Sequence, residues 1–177
     1  MTAPNRSSQV LRLRPLRLED EAAFRVAHAA MRPDGFTFGL GYDDGMEWHA
    51  YLGGLELIRT STAVTNDLVP AVFLGAFVDG RLVGRSSIRF ALNDHLAREG
   101  GHIGYGVLPA ERRRGYATSI LEQSIVLARA GGVDRILVTC DDTNVGSMAV
   151  IERCGGEYEG TVASSVGGPP KRRYWIA

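Results

Sequence analysis

The chain has 177 residues, long enough for one domain with a buried core, and its 45% hydrophobic and 23% charged residues sit near the globular average, which excludes a disordered or fibrous chain. Twenty basic against twenty acidic side chains leave a formal net charge of zero, so no broad electrostatic footprint for nucleic acid exists. The longest apolar stretch, about residues 69–78, falls far short of the roughly 20 residues of a bilayer span, so no membrane partner is expected.

Residues 1–9 are polar, lack the apolar centre of a secretory signal and read as a flexible tail, which makes the cytoplasm the expected compartment and residues 10–177 the single folded domain. Leucines and arginines alternate over residues 10–17, predicting a first strand closed by Pro15. Helical spacing follows, with Ala22, Ala23, Val26, Ala27 and Ala30 on the side read as apolar, until Pro33-Asp34-Gly35 stops it. After a loop rich in glycine and aromatics over 36–45, Trp48, Tyr51, Leu52, Leu55 and Ile58 predict a second helix despite Gly53-Gly54 in its middle.

Residues 72–78 and 82–90 flank Asp79-Gly80, a strong hairpin signal. A polar excursion over 91–101 leads to a strand at 102–108, where Ile103, Tyr105 and Val107 share one face and Gly104 and Gly106 thin the other, so something packs close there. The next helix carries Ala117, Ile120, Leu121, Ser124, Ile125 and Ala128 on one stripe and ends at Gly131-Gly132. A short apolar strand at 135–140 precedes Asn144, which opens a helix whose Val145, Met148, Ala149 and Ile151 are read as facing inward. Two strands, 158–162 and 171–176, complete a mixed sheet covered by helices.

The most informative stretch is Arg112-Arg113-Arg114-Gly115-Tyr116-Ala117, between an apolar strand and an amphipathic helix. A helix start leaves its first N–H groups unpaired and carries partial positive charge, so anions collect there. Gly115 and Ala117 keep the backbone thin enough for close approach, and arginines offer multi-donor heads to phosphate oxygens. A solvated basic turn is the plainer reading of the same residues.

This stretch resembles motif A of the GCN5-related N-acetyltransferases (GNAT), in which Gln or Arg, two variable residues, Gly, one variable residue and Gly or Ala follow each other; Arg112, Gly115 and Ala117 fit. Asn144 with Ser147 three positions on resembles the family's second element. Within the family the chain is similar to a branch of predicted acetyltransferases with Gly-Gly-His-Ile-Gly-Tyr before motif A and Arg-Tyr-Trp-Ile at the end, here 100–105 and 173–176, a branch that implies no particular substrate. The resemblance implies a mixed, mostly antiparallel α/β sheet of six to seven strands flanked by about four helices, with the cofactor wedged where two strands part. It implies acetyl-CoA as cosubstrate, its pyrophosphate held along Arg112, Arg113, Arg114, Gly115, Tyr116, Ala117 and Thr118, with Asn144 and Ser147 nearby and backbone amides near Gly106 and Val107 as oxyanion donors. The implied reaction moves an acetyl group directly to an amine of a small molecule or polypeptide terminus, by a monomer or a homodimer.

Such a transfer needs an amine stripped of its proton, donors for the oxyanion and an acid for the thiolate. Many family members place a tyrosine seven residues after the Asn; here that position is Ile151, which keeps a non-catalytic coenzyme A-binding module as the alternative. His102 and Tyr105 are the best ionisable candidates beside the cofactor, against structural roles for both. Asp34, Asp43, Asp44 and Glu47 cluster where an amine would enter, or form a solvated loop. Cys140 and Cys154 read as reduced structural thiols, and four scattered histidines give no metal-ligand spacing, so no metal is expected.

Overall fold

A computed structural model of the chain describes residues 10–65 and 67–177; the expected tail at residues 1–9 lies outside the described residues. The first strand, β1 (Arg12–Arg14), is short, because Pro15 brings no N–H to a ladder. α1 (Glu21–Met31) and α2 (Trp48–Thr60) follow, the second capped by Glu47, whose carboxylate accepts the Ala50 N–H at 2.7 Å. β2 (Ala71–Val78) and β3 (Arg81–Arg89) form the expected hairpin, and φ is positive at both turn residues, 49° at Asp79 and 78° at Gly80, as a type I′ turn requires. β4 (Ile103–Val107), α3 (Tyr116–Ala130), β5 (Ile136–Asp141), α4 (Val145–Arg153), β6 (Glu157–Val162) and β7 (Lys171–Ile176) complete the chain.

The strands form an antiparallel sheet ordered β1-β2-β3-β4 and a second ordered β5-β7-β6. α3 packs on one face of the first sheet, where Ile88, Ile103, Leu121, Ile125, Ile136 and Tyr174 share one core. A buried hydroxyl pair, Ser86 with Ser124 at 2.7 Å, ties β3 to α3 inside that layer. The opposite face is closed by α1, α2 and the loop between them through Phe24, Phe38, Tyr42, Trp48, Tyr51 and Phe73. This is the mixed α/β architecture that the family resemblance implies.

Two helix faces differ from the expectation. α1 buries Phe24, Ala27, His28 and Met31, while Val26 is 70% exposed and Ala22, Ala23 and Ala30 are exposed. An aromatic and a methionine bury far more apolar area than alanines, so they choose the face. In α4, Ile151 is buried and Met148 packs against the same core, whereas Val145 is 71% exposed and Ala149 is exposed. The polar excursion also holds a π-helical turn at Leu96–Gly100. Its Glu99 carboxylate accepts the Ser165 N–H at 2.8 Å, fastening the loop between β6 and β7.

Among the described residues no helix is long and apolar enough to cross a membrane, and no group of three or more His, Cys, Asp or Glu side chains is placed to hold a metal ion. Cys140 and Cys154 are both free thiols.

Candidate active site

The two sheets meet at the start of β4 and β5. His102 N–H donates to Leu137 O at 2.7 Å, and Leu137 N–H donates to the His102 ring at Nδ1, 2.9 Å away. Beyond that point the strands belong to different sheets, so they part as a V. β4 leads into α3 and β5 leads into α4, which sets two helix N-termini at the mouth of the V.

On its other side β4 is committed to β3. Arg89 N–H donates to His102 O at 2.8 Å, and Leu108 N–H to Val83 O at 3.0 Å. Antiparallel alternation then turns the backbone groups of Gly104 and Gly106 toward β3 and those of Ile103, Tyr105 and Val107 into the V. Of the two amides expected near an oxyanion, the Val107 N–H therefore faces the open edge and the Gly106 N–H lies in the ladder.

The loop into α3 has the form an anion site needs. Gly115 has φ 81° and ψ −2°, and a Cβ added there would meet nothing within 4 Å. No side chain caps α3, and the Ser119 N–H makes the first bond back into it, to Gly115 O at 3.2 Å. That leaves the amides of the first turn, Ala117 and Thr118 among them, directed outward. α4 differs: Asn144 Oδ1 accepts the Ser147 N–H at 3.0 Å and fills its own helix end. The expected arginines divide their work. Arg112 Nε donates to Val107 O at 3.2 Å while its head pairs with Asp34, and Arg114 pairs with Glu111 at 3.2 Å. Arg113 sits at φ 63°, a strained value that lets the loop reverse before the helix. Tyr116 is buried, so its side chain serves the core.

Inside the V, Tyr105 Oη lies 2.9 Å from Ser147 Oγ, joining β4 to the start of α4. Burial drives the Tyr105 phenol well above its ordinary range, although the Ser147 bond opposes that rise, so the hydroxyl keeps its proton and can donate but not abstract. Cys140, on β5 beside the same serine, is pushed up to about 11 by burial and stays a thiol. Ile151 is fully buried in the core, so no acid reaches the V from that position. Burial first, then the nearby Arg89, lowers the His102 pKa. With Nδ1 accepting the Leu137 N–H, the neutral ring carries its proton on Nε2. His102 thus holds the vertex, and its one free lone pair is already used.

The face of β4 away from α3 looks at the loop after α1. Phe36 covers Gly106, where an added Cβ would lie 2.8 Å from the ring. A cleft of about 430 Å³ adjoins it, lined by His28, Arg32, Phe36, Thr37, Asp43 and Asp44. The acidic cluster is largely engaged: Asp34 holds Arg112, Asp44 pairs with Arg32, and Glu47 caps α2. Beside this face β3 contributes Arg85 and Arg89, which the sequence reading passed over. The signal was present as two arginines four residues apart in a strand whose neighbours on both sides are buried.

A sequence profile of the acetyltransferase (GNAT) domain matches residues 11–157, and the chain belongs to that family of acyltransferases. No curated protein sequence matches it. Solved structures with the same fold include RimJ of Mycobacterium smegmatis bound to a CoA disulfide, 21% identical, covering 94% of this chain and 81% of that one with a TM-score of 0.70. RimL, a ribosomal L7/L12 α-N-protein acetyltransferase in complex with coenzyme A, is 18% identical, with coverage of 95% and 94% and a TM-score of 0.69. The microcin C7 self-immunity acetyltransferase MccE, in complex with acetyl-CoA and AMP, is 18% identical, with coverage of 93% and 91% and a TM-score of 0.66.

Proposed function

We propose that the chain is an acetyl-CoA-dependent N-acetyltransferase that moves the acetyl group directly onto an amine, as a single domain over residues 10–177 working in the cytoplasm. One observation carries this reading: the free edge of β4 leads, through a short turn at Pro109–Glu111, to the uncapped start of α3 at Gly115 with open space above it. The amides of the first turn from Gly115 to Thr118 would hold the diphosphate, with Arg113 free to add charge, and Arg112 fixes the loop to the end of β4. Val107 N–H would donate to the developing oxyanion. The Tyr105 hydroxyl, oriented by Ser147, would donate a proton to the departing sulfur, in the role that Ile151 cannot fill. His102 would keep the V open and in register. Amine acceptors are supported by the fold neighbours, one of which is named for acting on the α-amine of a ribosomal protein.

Two readouts test the proposal. Acetyl-CoA at a hundredfold its dissociation constant adds about 2.7 kcal/mol of stability, and thiol release should accompany turnover of members of an amine panel. Ile151 favours a second reading, a coenzyme A-binding module without catalysis. Stabilisation by acetyl-CoA with no thiol release from any amine selects that reading, and no stabilisation refutes both.

A further inference from the structure

Arg85 is only 9% exposed, yet among the described residues neither it nor Arg89 pairs with a carboxylate. Arg85 donates to Ser87 Oγ and Gly104 O at 3.0 Å each and to Thr37 O at 3.1 Å, and the Phe36 ring lies 4.7 Å from its guanidinium carbon. Its Nε has no partner. Arg89 reaches Gly101 O at 3.2 Å with one terminal nitrogen. A Cβ added at Gly104 would lie 3.4 Å from an Arg85 nitrogen and 3.6 Å from an Arg89 nitrogen, so the two heads are at most about 7 Å apart. Burial first, and then the neighbouring Arg89 charge, lowers the Arg85 pKa, in line with a buried cation that no carboxylate faces.

Two adjacent cations, one with a buried and unpartnered Nε–H, lack an anion among the described residues, and the position tells which one. Gly104 has no side chain, so this side of β4 stays thin next to the loop of Phe36 and Thr37. The opposite face is filled by Ile103, Tyr105 and Val107 against α3. Phe36 covers Gly106 and lies against Arg85 on that side, so an acceptor reaching Val107 from the adjoining cleft would pass the Phe36 ring and meet the arginines beneath it. Three residues of strand separate Gly104 from Val107, about 10 Å, which is too far for the amine and carboxylate of an α-amino acid.

We infer that Arg85 and Arg89 form a carboxylate subsite of the acceptor pocket, and that the acceptor is a small ω-amino acid whose amine and carboxylate are separated by a chain of several carbons. The inference rests on the direct-transfer reading for the chemistry at the amine end, but the subsite has its own binding readout.

The test compares 6-aminohexanoate with hexylamine, and glycine with glycinamide, in thiol release at saturating acetyl-CoA. 6-Aminohexanoate is expected to exceed hexylamine by tenfold or more in kcat/KM. Arg89→Gln should reduce that preference to within about twofold, and Arg89→Lys should restore part of it, while both keep the thermal shift with acetyl-CoA. A wild-type enzyme that turns over hexylamine as well as 6-aminohexanoate, that prefers glycine to 6-aminohexanoate, or whose preference survives Arg89→Gln, overturns the inference. If no amine releases thiol, the coenzyme A complex is melted with the same four compounds. Stabilisation by 6-aminohexanoate alone, abolished in Arg89→Gln, upholds the subsite and overturns only the acetyl transfer; indifference to the carboxylate overturns the subsite.

Discussion

Replacing Gly115 separates backbone strain from ligand contact. With φ at 81° and nothing within 4 Å of an added Cβ, an alanine meets no clash in the free protein. Its cost is conformational, about 1–2 kcal/mol for an L-residue held in the left-handed region, or roughly 2–8 °C of melting temperature for a domain of this size. Asparagine visits that region readily and should recover most of the loss. Added atoms in open space matter only when a ligand occupies it. Acetyl-CoA at a hundredfold its dissociation constant gives about 2.7 kcal/mol, and a tenfold weaker site gives about 1.4 kcal/mol at the same concentration. Scanning calorimetry of wild type, Gly115→Ala and Gly115→Asn, with and without acetyl-CoA, should therefore show the ligand shift roughly halved or worse in both variants, although only alanine lowers the free melting temperature. If Gly115→Asn melts like wild type and keeps the whole shift, the glycine serves only the turn, and the diphosphate does not sit at this helix start.

Tyr105→Phe removes the hydroxyl that meets Ser147 and leaves the ring in place; the expected result is a fall in kcat of about a hundredfold or more with the acetyl-CoA shift retained, and unchanged turnover would remove Tyr105 as the acid. Burial depresses the pKa of both His28 and His102 below the ordinary 6.5, so below that pH the unfolded chain binds protons that the folded chain does not, and stability should fall on acidification from pH 7 to 5. Urea midpoints across that range check the sign. His102→Ala, which strands the buried Leu137 N–H, should cost about 1–3 kcal/mol and flatten part of the slope; a flat wild-type profile would contradict the buried, neutral rings.

The order of elements was legible because local chemistry dictated it. Asp79-Gly80 has two positive φ values whatever surrounds it, and Gly131-Gly132 ends α3 where the apolar stripe ends. The uncapped helix start at Gly115 was legible for the same reason, since a glycine before a helix carries its own backbone consequences. The faces of α1 and α4 were not: Phe24 outweighs Ala22, Ala23 and Ala30 only because an aromatic layer from α2, the loop before it and β2 is there to receive it. The division of labour among Arg112, Arg113 and Arg114 depends on Glu111 beside them and on Asp34, which comes from the turn after the distant α1. Arg85 was hidden for a related reason, because its burial follows from Phe36 and Thr37 closing over β3 from nearly fifty residues earlier.

The vertex where the two sheets meet rests on one residue pair. A continuous parallel ladder from β4 to β5 would need each strand to offer backbone acceptors at the edge. At the first position where they meet, the Leu137 N–H is taken by the His102 side chain, not by a carbonyl. His102 and Leu137 join the two strands through one backbone bond and one bond to the ring, and beyond them the strands belong to different sheets. Tyr105 and Ser147 then span the gap by side chains, and Val107 reaches the mouth with its backbone unspent on β5. The histidine that sequence reasoning put forward as a base has its Nδ1 lone pair committed to the Leu137 N–H. Only a neutral ring can hold the vertex in this way, since a protonated imidazole could not accept that amide.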